Sequence, residues 1–218
     1  MPWLKNKLTY YESLKKDNIL ALFKGKVLEL GAGHCWLTAL LSKREEVTEA
    51  TAVDLSEKQV KEIAPKVIQY LKGQEEKIAL MINDFNNLNF PESSFDTIIF
   101  DAALHHAVNP VATLKKIMPL LKNGGYLVCI REPIIPWIYF WNKKIIYQRH
   151  GVEEKKYGVT ENIFTISEWK NIFKQAGTAV KFVKISYNHI QNPFFKKIFS
   201  NKIFNGFLFS EMIFVTRK

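Results

Sequence analysis

Cysteine is scarce in this chain: only Cys35 and Cys129 occur among 218 residues. No cysteine cluster with metal-ligand spacing exists, which argues against a structural zinc centre. Both cysteines fall in or beside predicted core elements and no secretory signal precedes them, so a reduced, cytoplasmic setting is expected. Also missing is any run of about eighteen apolar residues, so nothing here is expected to span a membrane. There is no internal repeat, low-complexity tract or linker, and a chain of 218 residues suits one α/β domain better than two. Acidic residues are few in one region only. Residues 1–130 hold 16 Lys and Arg against 15 Asp and Glu, whereas residues 131–218 hold 15 against 6. Nearly all of the net charge of +10 therefore lies in the last two-fifths of the chain. What is plentiful is apolar surface, at 47% hydrophobic and 13% aromatic residues, the composition of a packed globular protein.

The most informative stretch is Val27-Leu28-Glu29-Leu30-Gly31-Ala32-Gly33-His34-Cys35-Trp36. A short apolar strand ends at two glycines one residue apart, and a helical pattern (Trp36, Leu37, Leu40, Leu41) follows at once. Glycines tolerate positive φ and let a ligand lie against bare backbone. A second strand, Ala52-Val53-Asp54-Leu55, ends in a carboxylate where a ribose diol is commonly held. Together these indicate a nucleoside cofactor on a Rossmann-like sheet. The dinucleotide fingerprint needs a third glycine beside the pyrophosphate, and that position here is Trp36. NAD and FAD are therefore disfavoured.

Glu29-Leu30-Gly31-Ala32-Gly33 closely resembles the first motif of class I S-adenosylmethionine (SAM) methyltransferases, whose cofactor has no phosphates. The resemblance covers about residues 25–132. It implies an α/β fold with a Rossmann-like, seven-stranded, mostly parallel sheet, helices on both faces and an antiparallel last strand. It also implies that SAM, with S-adenosylhomocysteine as product, is bound by Glu29, Gly31, Ala32, Gly33 and His34 in the turn. Asp54 and Leu55 after the second strand, Asp84 and Phe85 after the third, and Asp101 and Ala102 after the fourth complete the set, the acid Asp84 facing the adenine amino group. An N-terminal helix closing over the cofactor could bring Tyr11 or Tyr10 to it; alternatively both pack on the sheet edge.

The periodicity predicts one or two helices over residues 3–23, ended by Lys24-Gly25-Lys26. Ser56 is expected to cap a helix through Tyr70 that Pro65 kinks or divides. Strands follow at Ile78–Ile82 and Phe95–Asp101, then a helix from Asn109-Pro110 that should stop at Asn123-Gly124-Gly125, and a strand at Tyr126–Ile130. Within one domain, residues 1–24 form a helical cap, 25–132 the cofactor-binding core, 133–178 an insertion and helix, and 179–218 the final strands. Pro133, Pro136 and Trp137-Ile138-Tyr139-Phe140-Trp141 read either as a lid lining the substrate pocket or as an amphipathic helix on a membrane surface. A helix starting at Ser167 and ending at Ala176-Gly177 precedes strands at Ala179–Tyr187 and Phe207–Thr216.

Methyl transfer from a sulfonium is a direct displacement, so the protein mainly has to align the nucleophile. A hydroxyl nucleophile also needs a base. The candidates are His106 and His105 after strand four, with His150, Glu153, Glu154 and Glu161 in the insertion. The histidine pair equally suits lining the cofactor pocket. No Asn/Asp-Pro-Pro-Tyr/Phe motif of nucleic-acid amino-group methyltransferases follows strand four. Glu153 to Trp169 resembles, locally, methyltransferases of bacterial surface-glycan clusters. The expected acceptor is a small or carrier-linked molecule, sugar-like or anionic, methylated on oxygen. An RNA methyltransferase and a non-catalytic partner subunit are the alternatives.

Overall fold

The computed structural model describes residues 2–135, 162–185 and 211–218. The chain divides into two compact units, one made of Met1–Asp101, Lys116–Val128 and Arg217–Lys218, the other of Ala102–Lys115 and Cys129–Thr216.

The first unit is built on four parallel strands: β1 (Gly25–Leu30), β2 (Val47–Asp54), β3 (Ile78–Ile82) and β4 (Phe95–Asp101). β1 pairs with β2 on one side and β4 on the other, and β3 pairs with β2. Val27, Leu28, Glu29 and Leu30 are all buried, as expected of a central parallel strand covered on both faces. Helix α1 (Pro2–Lys16) buries Leu4, Tyr10 and Leu14, and a 3₁₀ turn at Leu20–Leu22 leads into β1. Every residue of α2 (Trp36–Ser42) is buried, and α2 packs on β2 and on α3 (Ala64–Leu71). The helix expected from Ser56 to Tyr70 is divided. A π turn at Gln59–Ile63, in which Ala64 N–H reaches Gln59 O, precedes α3. Pro65 is the cause, because its nitrogen has no hydrogen to donate and its ring crowds the preceding turn.

Helix α4 (Pro110–Ile117) ends earlier than Asn123-Gly124-Gly125. Pro119 sits in a 3₁₀ turn, Met118–Leu120, and β5 (Leu121–Pro133) begins straight after it. The two glycines lie inside β5: Gly124, at φ +81°, donates to Lys218 O at 3.0 Å, and Gly125 O accepts from Lys218 N at 3.1 Å. The glycines thus bend a strand against the C-terminus instead of stopping a helix.

In the second unit, α5 (Ile166–Gln175) starts with a capping box in which Thr165 and Glu168 bond each other's backbone N–H groups. Its buried Trp169 contacts Phe164, Phe173 and Phe214 and donates through Nε1 to Pro133 O at 3.2 Å. β6 (Lys181–Ile185) runs antiparallel to β7 (Glu211–Arg217). The strand order is β3-β2-β1-β4-β5-β7-β6, a mostly parallel sheet with an antiparallel last pair. No helix among the described residues is long and apolar enough to cross a membrane. The aromatic insertion at 137–141, with Lys143, Lys144, Arg149 and His150, lies outside the described residues, as do Glu153, Glu154 and Glu161.

Candidate cofactor and active site

β1 delivers its chain end into a turn whose backbone alternates into the left-handed region: Gly31 at φ +68°, Gly33 at +51° and Cys35 at +54°. Gly31 and Ala32 donate to Val53 O at 2.9 and 3.0 Å, which ties the turn to the end of β2. Asp54 completes the tie. Its Oδ2 accepts from Gly33 N at 2.7 Å and its Oδ1 from Ser56 N at 2.8 Å. A Cβ on Gly33 would meet no atom within 4 Å, so the backbone there borders open space. The neighbouring Leu55 is 68% exposed.

Two carboxylates stand in the same unit. Asp101, at the end of β4, accepts from the Trp36 indole N–H at 2.7 Å, and the Lys7 ammonium is 3.8 Å away. Glu29 is 1% exposed. Thr38 donates both its backbone N–H, at 2.9 Å, and its hydroxyl to Oε2 of Glu29. Oε1 of Glu29 is buried and has no hydrogen-bond partner among the described residues. Burial, followed by the charge of Asp101, pushes Glu29 up from 4.5 to about 8.

A carboxyl group whose folded value is raised favours the folded state fully below its unfolded value and loses that contribution as pH rises through the folded value. Stability of the ligand-free protein should therefore fall between about pH 4.5 and about pH 8. Urea midpoints measured across that window should show the fall, and Glu29→Gln should flatten it. A wild-type profile already flat would contradict this.

The remaining predicted cofactor residues are placed as follows. His34 packs against the Trp3 ring at 4.8 Å, and burial, then the Lys7 charge, lowers its pKa. Asp84 caps its own turn, its Oδ1 accepting from Asn86 N and Nδ2 at 2.8 and 2.9 Å. Phe85 meets Phe100 edge-on at 5.6 Å. Tyr11 is half-buried, and burial raises its pKa, opposed by the nearby Arg44 guanidinium. Tyr10 is in the core.

In the second unit the segment after β4 is organised by a residue that sequence reasoning did not single out. Ala102, at φ +51°, donates to Ile130 O at 2.8 Å. Glu132 is wholly buried, and its Oε1 accepts from Ala103 N and Leu104 N at 3.1 and 2.9 Å. Its Oε2 accepts from His105 N at 3.1 Å and pairs with His105 Nδ1 at 2.9 Å. A carboxylate offers only lone pairs, so Nδ1 carries the proton and Nε2 is the nitrogen with the lone pair in the neutral ring. The His106 ring lies 4.0 Å from that of His105. Asn162 Nδ2 donates to His105 O and Ala107 O, each at 2.9 Å. The signal available in the sequence was an acid following the apolar run Leu127-Val128-Cys129-Ile130 by two residues, after Arg131.

The glycine turn suits a cationic nucleoside better than a dinucleotide. The Asp101 carboxylate would repel a pyrophosphate, whereas an ammonium would satisfy the orphaned Oε1 of Glu29. Trp36 is locked to Asp101 where the dinucleotide motif has glycine. Fold and turn together are those of a Rossmann-like, nucleoside-binding domain.

Residues 28–129, just under half of the chain, match the family model described as a methyltransferase domain. The malonyl-[acyl-carrier protein] O-methyltransferase of Priestia megaterium is 34% identical over 102 residues, 47% of this chain and 35% of that protein. The demethylmenaquinone methyltransferase of Staphylococcus epidermidis is 28% identical over 114 residues, 51% and 45% of the two chains. The chain thus spans between about a third and a half of these curated relatives. An S-adenosylmethionine-dependent methyltransferase from Mesorhizobium loti superposes with a TM-score of 0.60 at 17% identity, covering 88% of this chain and 90% of that one.

Proposed function

We infer that the protein transfers a methyl group from SAM to oxygen on a small or carrier-linked acceptor, sugar-like or anionic. The observation that carries this is the glycine turn clamped by Asp54 beside the buried acids Glu29 and Asp101. The two relatives described above, one a malonyl-[acyl-carrier protein] O-methyltransferase and one a demethylmenaquinone methyltransferase, support a small or carrier-linked acceptor. The excess of nine positive charges in residues 131–218 supports its being anionic.

SAM supplies a methyl group already activated on a sulfonium. Glu29 and Asp101 would hold the cofactor's cationic end, Asp54 its ribose hydroxyls, and Asp84 with Phe85 its adenine. His106 and His105 are the residues assigned to remove the acceptor's proton. Glu132 orients His105 for this by holding its Nδ1–H, which directs proton uptake to Nε2.

Calorimetry should show binding of SAM and S-adenosylhomocysteine and little affinity for NAD. S-adenosylhomocysteine release should then appear with carrier-linked acyl groups, nucleotide sugars or lipid-linked glycans, with a KM that rises with ionic strength. Tight NAD binding without SAM binding would overturn the cofactor assignment. Turnover confined to RNA, or to a neutral acceptor with salt-independent kinetics, would overturn the acceptor class.

A further inference from the structure

From Ala103 to Ala107 the chain buries every side chain but one. Ala103, Leu104, His105 and Ala107 are buried, and His106 is half-buried. The main chain here is held by opposite chemistry on its two kinds of polar group. The N–H groups of Ala103, Leu104 and His105 converge on the Glu132 carboxylate, which can only accept. Those of His106 and Ala107 close the turn on Ala103 O and Leu104 O, at 3.1 and 3.0 Å. Carbonyl groups need a donor instead, and Asn162 supplies it. Its Nδ2 donates to His105 O and to Ala107 O, each at 2.9 Å, and its backbone N–H donates to His105 O at 3.2 Å. One side-chain amide thus grips the main chain on both sides of His106. Only an amide carries two N–H donors on one nitrogen without adding charge.

Asn162 stands on a packed base. Two residues on, Phe164 O accepts from Ile135 N at 3.0 Å, and the Phe164 ring meets the buried Trp169 edge-on at 4.9 Å. Thr165 then caps α5. On the other side of the turn, Glu132 holds the His105 ring through Nδ1 at 2.9 Å, and the His106 ring lies 4.0 Å from it at 42°. Glu132 therefore fixes one ring, and Asn162 fixes the main chain that carries the other.

We propose that Asn162 is a positioning residue for methyl transfer: by pinning the carbonyl oxygens of His105 and Ala107 it sets where the His106 imidazole stands. This rests on His106 as the group that takes the acceptor's proton. A base acts only when held within hydrogen-bond reach of that proton, and a turn free to rock would spend less time there.

The test reads the ring itself by NMR on the full chain and needs no acceptor. The chain has five histidines, and the ring signal lost in His106→Gln identifies that of His106. In wild-type protein the ring current of His105 should displace this signal from the position of an unstructured histidine. Asn162→Ala removes both side-chain donors and should lose most of that displacement, while the His34 signal stays in place. Asn162→Ser keeps one donor and should fall between the two; it carries the comparison if Asn162→Ala does not fold. A merely structural role would lower the urea midpoint and leave the His106 signal of the folded variant where it was, which would overturn the proposal. So would equal movement of the His34 and His106 signals, or a wild-type His106 signal already at the unstructured position. Methyl transfer by His106→Gln at the wild-type rate would refute the histidine assignment itself, a result separate from whether the ring signal moves in Asn162→Ala.

Discussion

Glu132→Ala is expected to destabilise the protein by about 3–5 kcal/mol, the range for removing one partner of a buried charged network. Glu132 is wholly buried and accepts from Ala103 N, Leu104 N, His105 N and His105 Nδ1. Truncation leaves all four donors without their acceptor, and water cannot replace it without opening the segment. Asn162 and the tie from Ala102 to Ile130 hold the same segment from its two ends. Urea unfolding should show a large fall in midpoint, and methyl transfer should be lost at temperatures where the variant is still folded. His105→Ala removes one of the four bonds and should cost far less stability. A midpoint for Glu132→Ala within error of wild type would show that the network does not organise this segment.

Asp54→Ala should weaken SAM binding by about tenfold to a hundredfold. Loss of a charged acceptor costs about 1.5–3 kcal/mol, and each 1.4 kcal/mol is a factor of ten in affinity. Two effects add. The carboxylate is assigned to the ribose hydroxyls, and it also fixes the turn through Gly33 N and Ser56 N. Asp54→Asn keeps one acceptor oxygen for Gly33 N and should fall between wild type and Asp54→Ala. A dissociation constant unchanged in folded Asp54→Ala would remove Asp54 from the site.

Much of this was legible in the amino-acid order because the deciding interactions are local. Left-handed backbone at Gly31 and Gly33 favours residues without a Cβ, and the apolar run before them belongs to a strand buried on both faces. Position along the chain thus marked the turn, and the acid at the end of β2 followed from the same βαβ spacing. Helix boundaries were less legible. Pro65 and Pro119 act through the hydrogen bond each cannot donate, and whether a proline splits a helix, ends it or is accommodated depends on what packs around it. Gly124 shows the same limit, since a glycine suited to ending a helix also suits a strand, and its partner Lys218 is remote in sequence.

What only the tertiary structure decided are the long-range polar partnerships. Glu132 and His105 are 27 residues apart, and Trp36 and Asp101 are 65 apart. Lys7 and Asp101 come together from the N-terminal helix and the end of β4. Hydrophobic periodicity records which face of an element is buried, and a single lysine or glutamate leaves no periodic trace. Such a residue gains its role only when folding removes it from water and leaves a specific partner as the remaining way to satisfy its charge. The sequence by itself determined the strand-turn-helix that admits a nucleoside. The folded arrangement determined which acids and which lysine stand beside that turn.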